Sequence, residues 1–220
     1  MTLQEQIIDS GKADTYGLTP GAALAEPEID QEQRYRASAY GLLAALLRAP
    51  AEQDLLDHLL QLAPLETDLD DDLSIAMKAL AQAATTADPE LLKDEYQLLF
   101  IGLGKGEVVP YGSWHLTGFL MEQPLSDLRD ALKLLGLERS GDTHEPEDHV
   151  AALCEVMAVL INDAASLDQQ KEFFKNHMQA WVSQFMADLA NAESAAFYKS
   201  VARFGSAFIE LDKAYMAMQT

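Results

Sequence analysis

LDQQKEFFKNHMQAWVSQFMADL, residues 167–189, decides the fold class. Phe173, Phe174, Met178, Trp181, Phe185 and Leu189 recur at spacings of three and four, the period that places side chains on one face of a helix. The same period continues on either side. Residues 193–218 carry Phe197, Val201, Phe204, Phe208 and Leu211, and residues 146–162 carry Val150, Leu153, Met157 and Leu160. The spacing predicts three long helices in the last third of the chain.

The first half reads the same way with clearer punctuation. Tyr35, Ala39, Leu42, Leu43, Leu46 and Leu47 predict a helix over 30–48 that ends before Pro50. A second is expected over 52–62. A third opens at Asp70-Asp71-Asp72, since acids in a first turn suit the positive end of the helix dipole. Asp88 caps a fourth, with Pro89 in first position, and that helix carries Leu91, Leu92, Tyr96, Leu99 and Phe100. Gly102, Gly104 and Gly106 then break the pattern. Helix resumes over 114–121 and 124–135, with Gly136 as a C-terminal cap. No strand run and no fixed repeat is present. The expected fold is all-α, a bundle of roughly ten helices. Its expected organisation is a loosely attached extension over 1–29, an N-terminal helical part over 30–136, a hinge over 137–149 and a C-terminal helical part over 150–220.

Charge narrows the function. Fifteen basic residues stand against thirty-six acidic ones, a formal net charge of −21. Such a surface repels phosphate backbones and anionic headgroups, so no nucleic acid and no stable membrane insertion is expected. It draws in cationic partners. With Cys154 as the single cysteine, no disulfide closes within the chain, and residues 1–10 lack the basic start of a secretory signal. A cytoplasmic location is expected.

Reactive chemistry finds little support. Lys105 is followed by Gly106 where a phosphate-binding loop needs Ser or Thr, and no strand leads into it. His144 and His149 are five apart with Pro146 between them, which excludes a helical His-x-x-x-His metal pair. Cys154 lies in an apolar stretch and reads as a packed thiol. No Ser/His/acid arrangement appears. Catalytic residues, metal and cofactor are all expected to be absent.

Two clusters stand out. Glu145-Pro146-Glu147-Asp148-His149 is a good helix start, with Pro146 and the acids in a first turn. It also sets His149 among carboxylates, which should raise its pKa toward neutrality and make it a pH-sensitive contact or a hydrogen-bonded hinge pin. Pro110-Tyr111-Gly112-Ser113-Trp114-His115 offers flat aromatic surface of the kind that anchors peptides, although Trp114 serves equally as a core plug.

Together these clusters resemble the TorD/DmsD family of redox-enzyme maturation chaperones. Glu95-Tyr96-Gln97-Leu98-Leu99-Phe100-Ile101-Gly102 resembles the family's helix end before a long loop. Pro110-Tyr111-Gly112-Ser113 resembles its loop motif, and residues 145–149 match its Glu-Pro-x-Asp-His hinge signature. The resemblance runs from about Arg34 to Tyr215. It departs at Leu103-Gly104, where some members carry tryptophan, and at His115, where tyrosine is common.

The resemblance implies a non-enzymatic helical chaperone, monomeric or a domain-swapped homodimer. Its partner would be the precursor of a molybdenum-containing oxidoreductase, held through a twin-arginine leader until the cofactor is inserted. The implied binding residues are Pro110, Tyr111, Gly112, Ser113, Pro146, Asp148 and His149, to which the loop and hinge add Trp114 and Glu145. An acidic protein with an aromatic groove suits a leader that joins two guanidinium groups to an apolar stretch, and Asp148 is the expected guanidinium partner unless helix packing claims it. Two other functions compete: a helical assembly factor that binds mature respiratory enzyme without reading the leader, and a metal- or nucleotide-dependent hydrolase.

Overall fold

The computed structural model describes residues 29–62, 71–102, 105–138 and 145–218. The expected extension over 1–29 (all but its last residue), the Leu103-Gly104 pair, His144 and the middle of the expected hinge lie outside the described residues.

Ten α-helices make up the described part: α1 (Gln31–Arg48), α2 (Gln53–Leu62), α3 (Asp72–Thr85), α4 (Pro89–Tyr96), α5 (Gly112–Thr117), α6 (Gln123–Leu134), α7 (Val150–Asn162), α8 (Leu167–His177), α9 (Val182–Asn191) and α10 (Phe197–Met218). Asp88 caps α4 as expected, and other starts are capped too. Asp30, Asp71 and Asp88 each accept a first-turn N–H, and Ser166 with Gln169 forms a capping box. Gly136 takes φ 71° after α6, and Leu137 N–H reaches back to Leu132 O at 2.9 Å, closing the helix in a left-handed cap.

Helix α7 packs along α1, so one helix from each side of residues 137–149 forms the central pair. Helix α10 packs on α3 and α9, and α8 lies on α7. Buried apolar residues from Ala37 to Met216 form one continuous core. A polar clamp is set into it. Arg36 of α1 pairs with Asp212 of α10 and donates to Gln170 of α8 at 2.6 Å, while Tyr40 donates to Asp212 at 2.7 Å. Buried charge of this kind persists only when its hydrogen bonds are met, as they are here.

Four local expectations need correction. Residues 167–189 form two helices, because the chain turns through 178–181; there the Trp181 indole donates to His177 O at 2.8 Å, and both halves bury their apolar faces. The helix expected over 114–121 spans Gly112–Thr117 and stops at Gly118, φ 81°. Helix α10 starts at Phe197, four residues after the expected position, with Glu95 of α4 as its cap. The Glu95 carboxylate accepts N–H groups of Ala196, Phe197 and Tyr198 at 2.7, 3.2 and 2.9 Å. Finally, the helix expected from Pro146 begins at Val150.

Gly102 and Gly106 lie where the described chain meets the end of α4. That helix widens into a π-turn over Gln97–Ile101, and Gly102 N–H bonds Gln97 O at 2.7 Å. Val108 N–H then bonds Leu99 O at 2.9 Å. A Cβ on Gly106 would collide with the backbone of Leu99 and Phe100, so glycine serves close approach there.

Candidate functional site

The two clusters singled out in the sequence meet. Gly112 N–H donates to Asp148 O at 3.0 Å and Val150 N–H donates to Pro110 O at 2.8 Å, an antiparallel bridge between Tyr111 and His149. Residues 146–149 form a turn closed by His149 N–H on Pro146 O at 3.2 Å, and the bridge holds His149 extended, so that Pro146, Glu147 and Asp148 stand outside α7: tertiary hydrogen bonds outweigh a favourable local helix start. His149 becomes the N-cap instead, its Nδ1 accepting Ala151 N–H at 3.1 Å.

Each named residue has a distinct place. Pro110 is buried. The Tyr111 ring meets the His149 ring edge-on at 5.1 Å, and burial followed by the charges of Glu145 and Asp148 pushes its hydroxyl up to about 12. Gly112 lies under Trp181; a Cβ there would come within 3.2 Å of the indole. Trp114 is half-buried with the Lys105 ammonium 4.4 Å above its ring, and so it neither plugs the core fully nor stands free. Glu147 pairs with Arg129 of α6 at 2.8 Å. Glu145 and Pro146 are half-buried, and burial holds the Glu145 carboxyl above its usual range.

The expected rise in the His149 pKa is overturned. The residue is 1% exposed, and burial, aided by the nearby charge of Arg48, pushes its pKa down to about 4. The Glu145 carboxylate 4.0 Å from Nε2 does not offset that loss of water. At neutral pH the ring is an uncharged cap and packing surface.

Asp148 is the buried carboxylate of the cluster. It is 3% exposed. One carboxylate oxygen, Oδ2, accepts Ser113 N–H at 2.8 Å, while Oδ1 has no hydrogen-bond partner among the described residues. Burying a carboxylate oxygen without a partner is costly, so the position calls for a donor. Asp148 lines a cavity of about 150 Å³ together with Gly112, Leu116, Pro124, Asp127 and His177. The walls come from α5, α6, α7 and α8, and the second carboxylate, on Asp127, is exposed at the surface. Two carboxylates, one buried and one exposed, therefore line the same cavity.

Sequence reading named Asp148 and Gly112 but missed Leu116, Pro124, Asp127 and His177 in this cavity. Asp127 is one acid among thirty-six, and only the packing of α6 beside α5 brings it to Asp148. Other chemistry is not built. Among the described residues no three His, Cys, Asp or Glu side chains are grouped to hold a metal, and burial pushes the Cys154 thiol up, away from reactivity. No helix among the described residues is long and apolar enough to cross a membrane.

The site is thus a buried carboxylate with one unpartnered oxygen, beside a small cavity in a helical bundle. The chain belongs to the nitrate reductase delta subunit family, whose model matches residues 66–187, and within it to the TorD group of chaperones, which are not enzymes. The chain is 28% identical over 204 residues to the chaperone protein TorD of Vibrio atlanticus, covering 83% of this chain and 94% of that one. It is 27% identical over 206 residues to the TorD of Shewanella loihica, covering 85% and 96%. A crystal structure of a redox enzyme maturation protein from Archaeoglobus fulgidus shares the fold, with a TM-score of 0.55 at 19% identity, over 86% of this chain and 99% of the other.

Proposed function

We propose that this chain is a cytoplasmic maturation chaperone that binds the twin-arginine leader of a molybdenum-containing oxidoreductase precursor and holds it, without turnover, until the cofactor is inserted. The observation that carries this reading is the unpartnered Oδ1 of Asp148 at a cavity that also has Asp127 in its wall. A guanidinium group supplies paired N–H donors in a plane, so it satisfies Oδ1 and gains the second carboxylate, where an ammonium offers a point charge. The net charge of −21 steers the cationic leader toward the surface before it docks. Tyr111, Gly112, Ser113 and His149 act by holding Asp148 in place through the bridge and the Ser113 N–H.

The proposed organisation retains a hinge over 137–149 between N- and C-terminal parts. The α1–α7 pairing supports a constraint on any domain-swapped homodimer: exchanged parts must restore that contact between chains.

Titration of the protein with a synthetic leader from the oxidoreductase gene beside its own tests the reading. Saturable binding, weakened by changing both arginines to lysine, is the expected result. Asp148→Asn should cost about 2 kcal/mol or more of binding, since it keeps an acceptor for Ser113 N–H and removes the charge. Absence of binding to any such leader, alongside binding to leaderless mature enzyme, would replace this reading with that of an assembly factor.

A further inference from the structure

Beyond the cavity, the turn between α5 and α6 exposes its large apolar side chains. Phe119 is 68% exposed and Met121 72%, with Leu116 and Leu120 also exposed beside them. The turn is held in shape from within. Thr117 Oγ1 donates to Ser113 O at 2.8 Å and accepts Phe119 N–H at 3.2 Å. Met121 has φ 60°, a left-handed conformation rare outside glycine, and its N–H donates to Ser113 Oγ at 3.2 Å. Ser113 therefore joins two features: its backbone N–H holds the Asp148 carboxylate and its hydroxyl holds the apolar turn. Leu116, near the end of α5, is exposed beside the turn and also lines the cavity wall.

We propose that residues 116–121 form an apolar shelf that receives the apolar stretch of the leader while an arginine enters the cavity at Asp148. This rests on the leader reading above and deepens it by assigning a second subsite. Charge selects the occupant. The shelf borders a carboxylate with one oxygen, Oδ1, that lacks a donor among the described residues, so its partner brings a cation and apolar side chains close together in sequence. A second copy of this chain brings a net charge of −21 to the same surface and is disfavoured by repulsion. A leader with adjacent arginines and an apolar run meets both demands.

The test is a double-mutant cycle read by fluorescence anisotropy. Wild type and a Phe119→Ser/Met121→Ser variant are titrated with the labelled synthetic leader and with a leader whose apolar run is replaced by serine. Both substitutions are at exposed positions, and circular dichroism confirms that the variant is folded. The shelf variant is expected to bind the intact leader about tenfold more weakly. It should show no further loss with the serine leader, and it should keep the full penalty for arginine-to-lysine leaders. Unchanged leader affinity in the shelf variant, with Asp148→Asn still weakening it, would overturn the shelf and leave the leader reading standing. Failure of wild type to bind any leader would overturn both. Sedimentation showing a dimer that only the shelf variant abolishes, with leader affinity intact, would assign the surface to a second copy and overturn the proposal.

Discussion

Acidification should expose the cost of burying His149 as a neutral cap. Its pKa falls from the ordinary 6.5 to about 4 in the fold. Between those values the unfolded chain binds a proton that the folded chain does not, so stability falls as pH drops through this window. Integrating that difference gives a loss of about 2 kcal/mol by pH 5 and about 3 kcal/mol by pH 4 from this one side chain. Carboxylates such as Glu145 also titrate there, so total acid sensitivity does not isolate the ring. The comparison with His149→Asn does. Asparagine is a good N-cap and can accept Ala151 N–H as the imidazole does, but it does not titrate. Urea unfolding of both proteins at pH 7, 5 and 4 should show the variant gaining on wild type by about those amounts as pH falls. A stability difference that stays constant across the three pH values would refute the buried, uncharged imidazole.

Three further outcomes follow from the packing. Glu95→Ala removes the acceptor for three N–H groups at the start of α10 and should cost about 1–3 kcal/mol, read as a lower urea midpoint with unchanged slope. Arg36→Met leaves the Asp212 carboxylate buried with Tyr40 alone and should cost about 3–5 kcal/mol by the same assay, whereas Arg36→Met with Asp212→Leu should recover a large part of it. Gly112→Ala drives a Cβ against the Trp181 indole; thermal unfolding should fall by a few degrees, and affinity for the leader should fall with it because Gly112 N–H holds the Asp148 backbone.

Helical periodicity made the fold class legible, and Asp88 with Pro89 made one start legible to the residue. What escaped was set by contacts distant in sequence. Glu95 gives no local sign that it caps a helix a hundred residues later. Met178 and Trp181 keep the helical period through a turn, because both flanking helices bury the same side of the chain. Pro146 and the following acids are an ordinary helix start in isolation, and only pairing with residues 110–112 leaves them as a turn ahead of α7. The same pairing decides the site. Asp148 and Tyr111 were each legible as motif residues, but the unpartnered oxygen, the wall supplied by α6 and the shelf beside it exist only once α5, α6, α7 and α8 meet. The His149 error has the same origin: neighbouring acids were visible in sequence, and its burial was not.

The proposed function has Asp148 Oδ1 receive a guanidinium of the leader. A crystal structure of the complex with the leader addresses it directly. The expected result is one leader arginine inside the cavity, its guanidinium donating to Oδ1 at about 2.7–2.9 Å with Ser113 N–H still on Oδ2. A bound leader with both arginines outside the cavity and Oδ1 still unpartnered would contradict it.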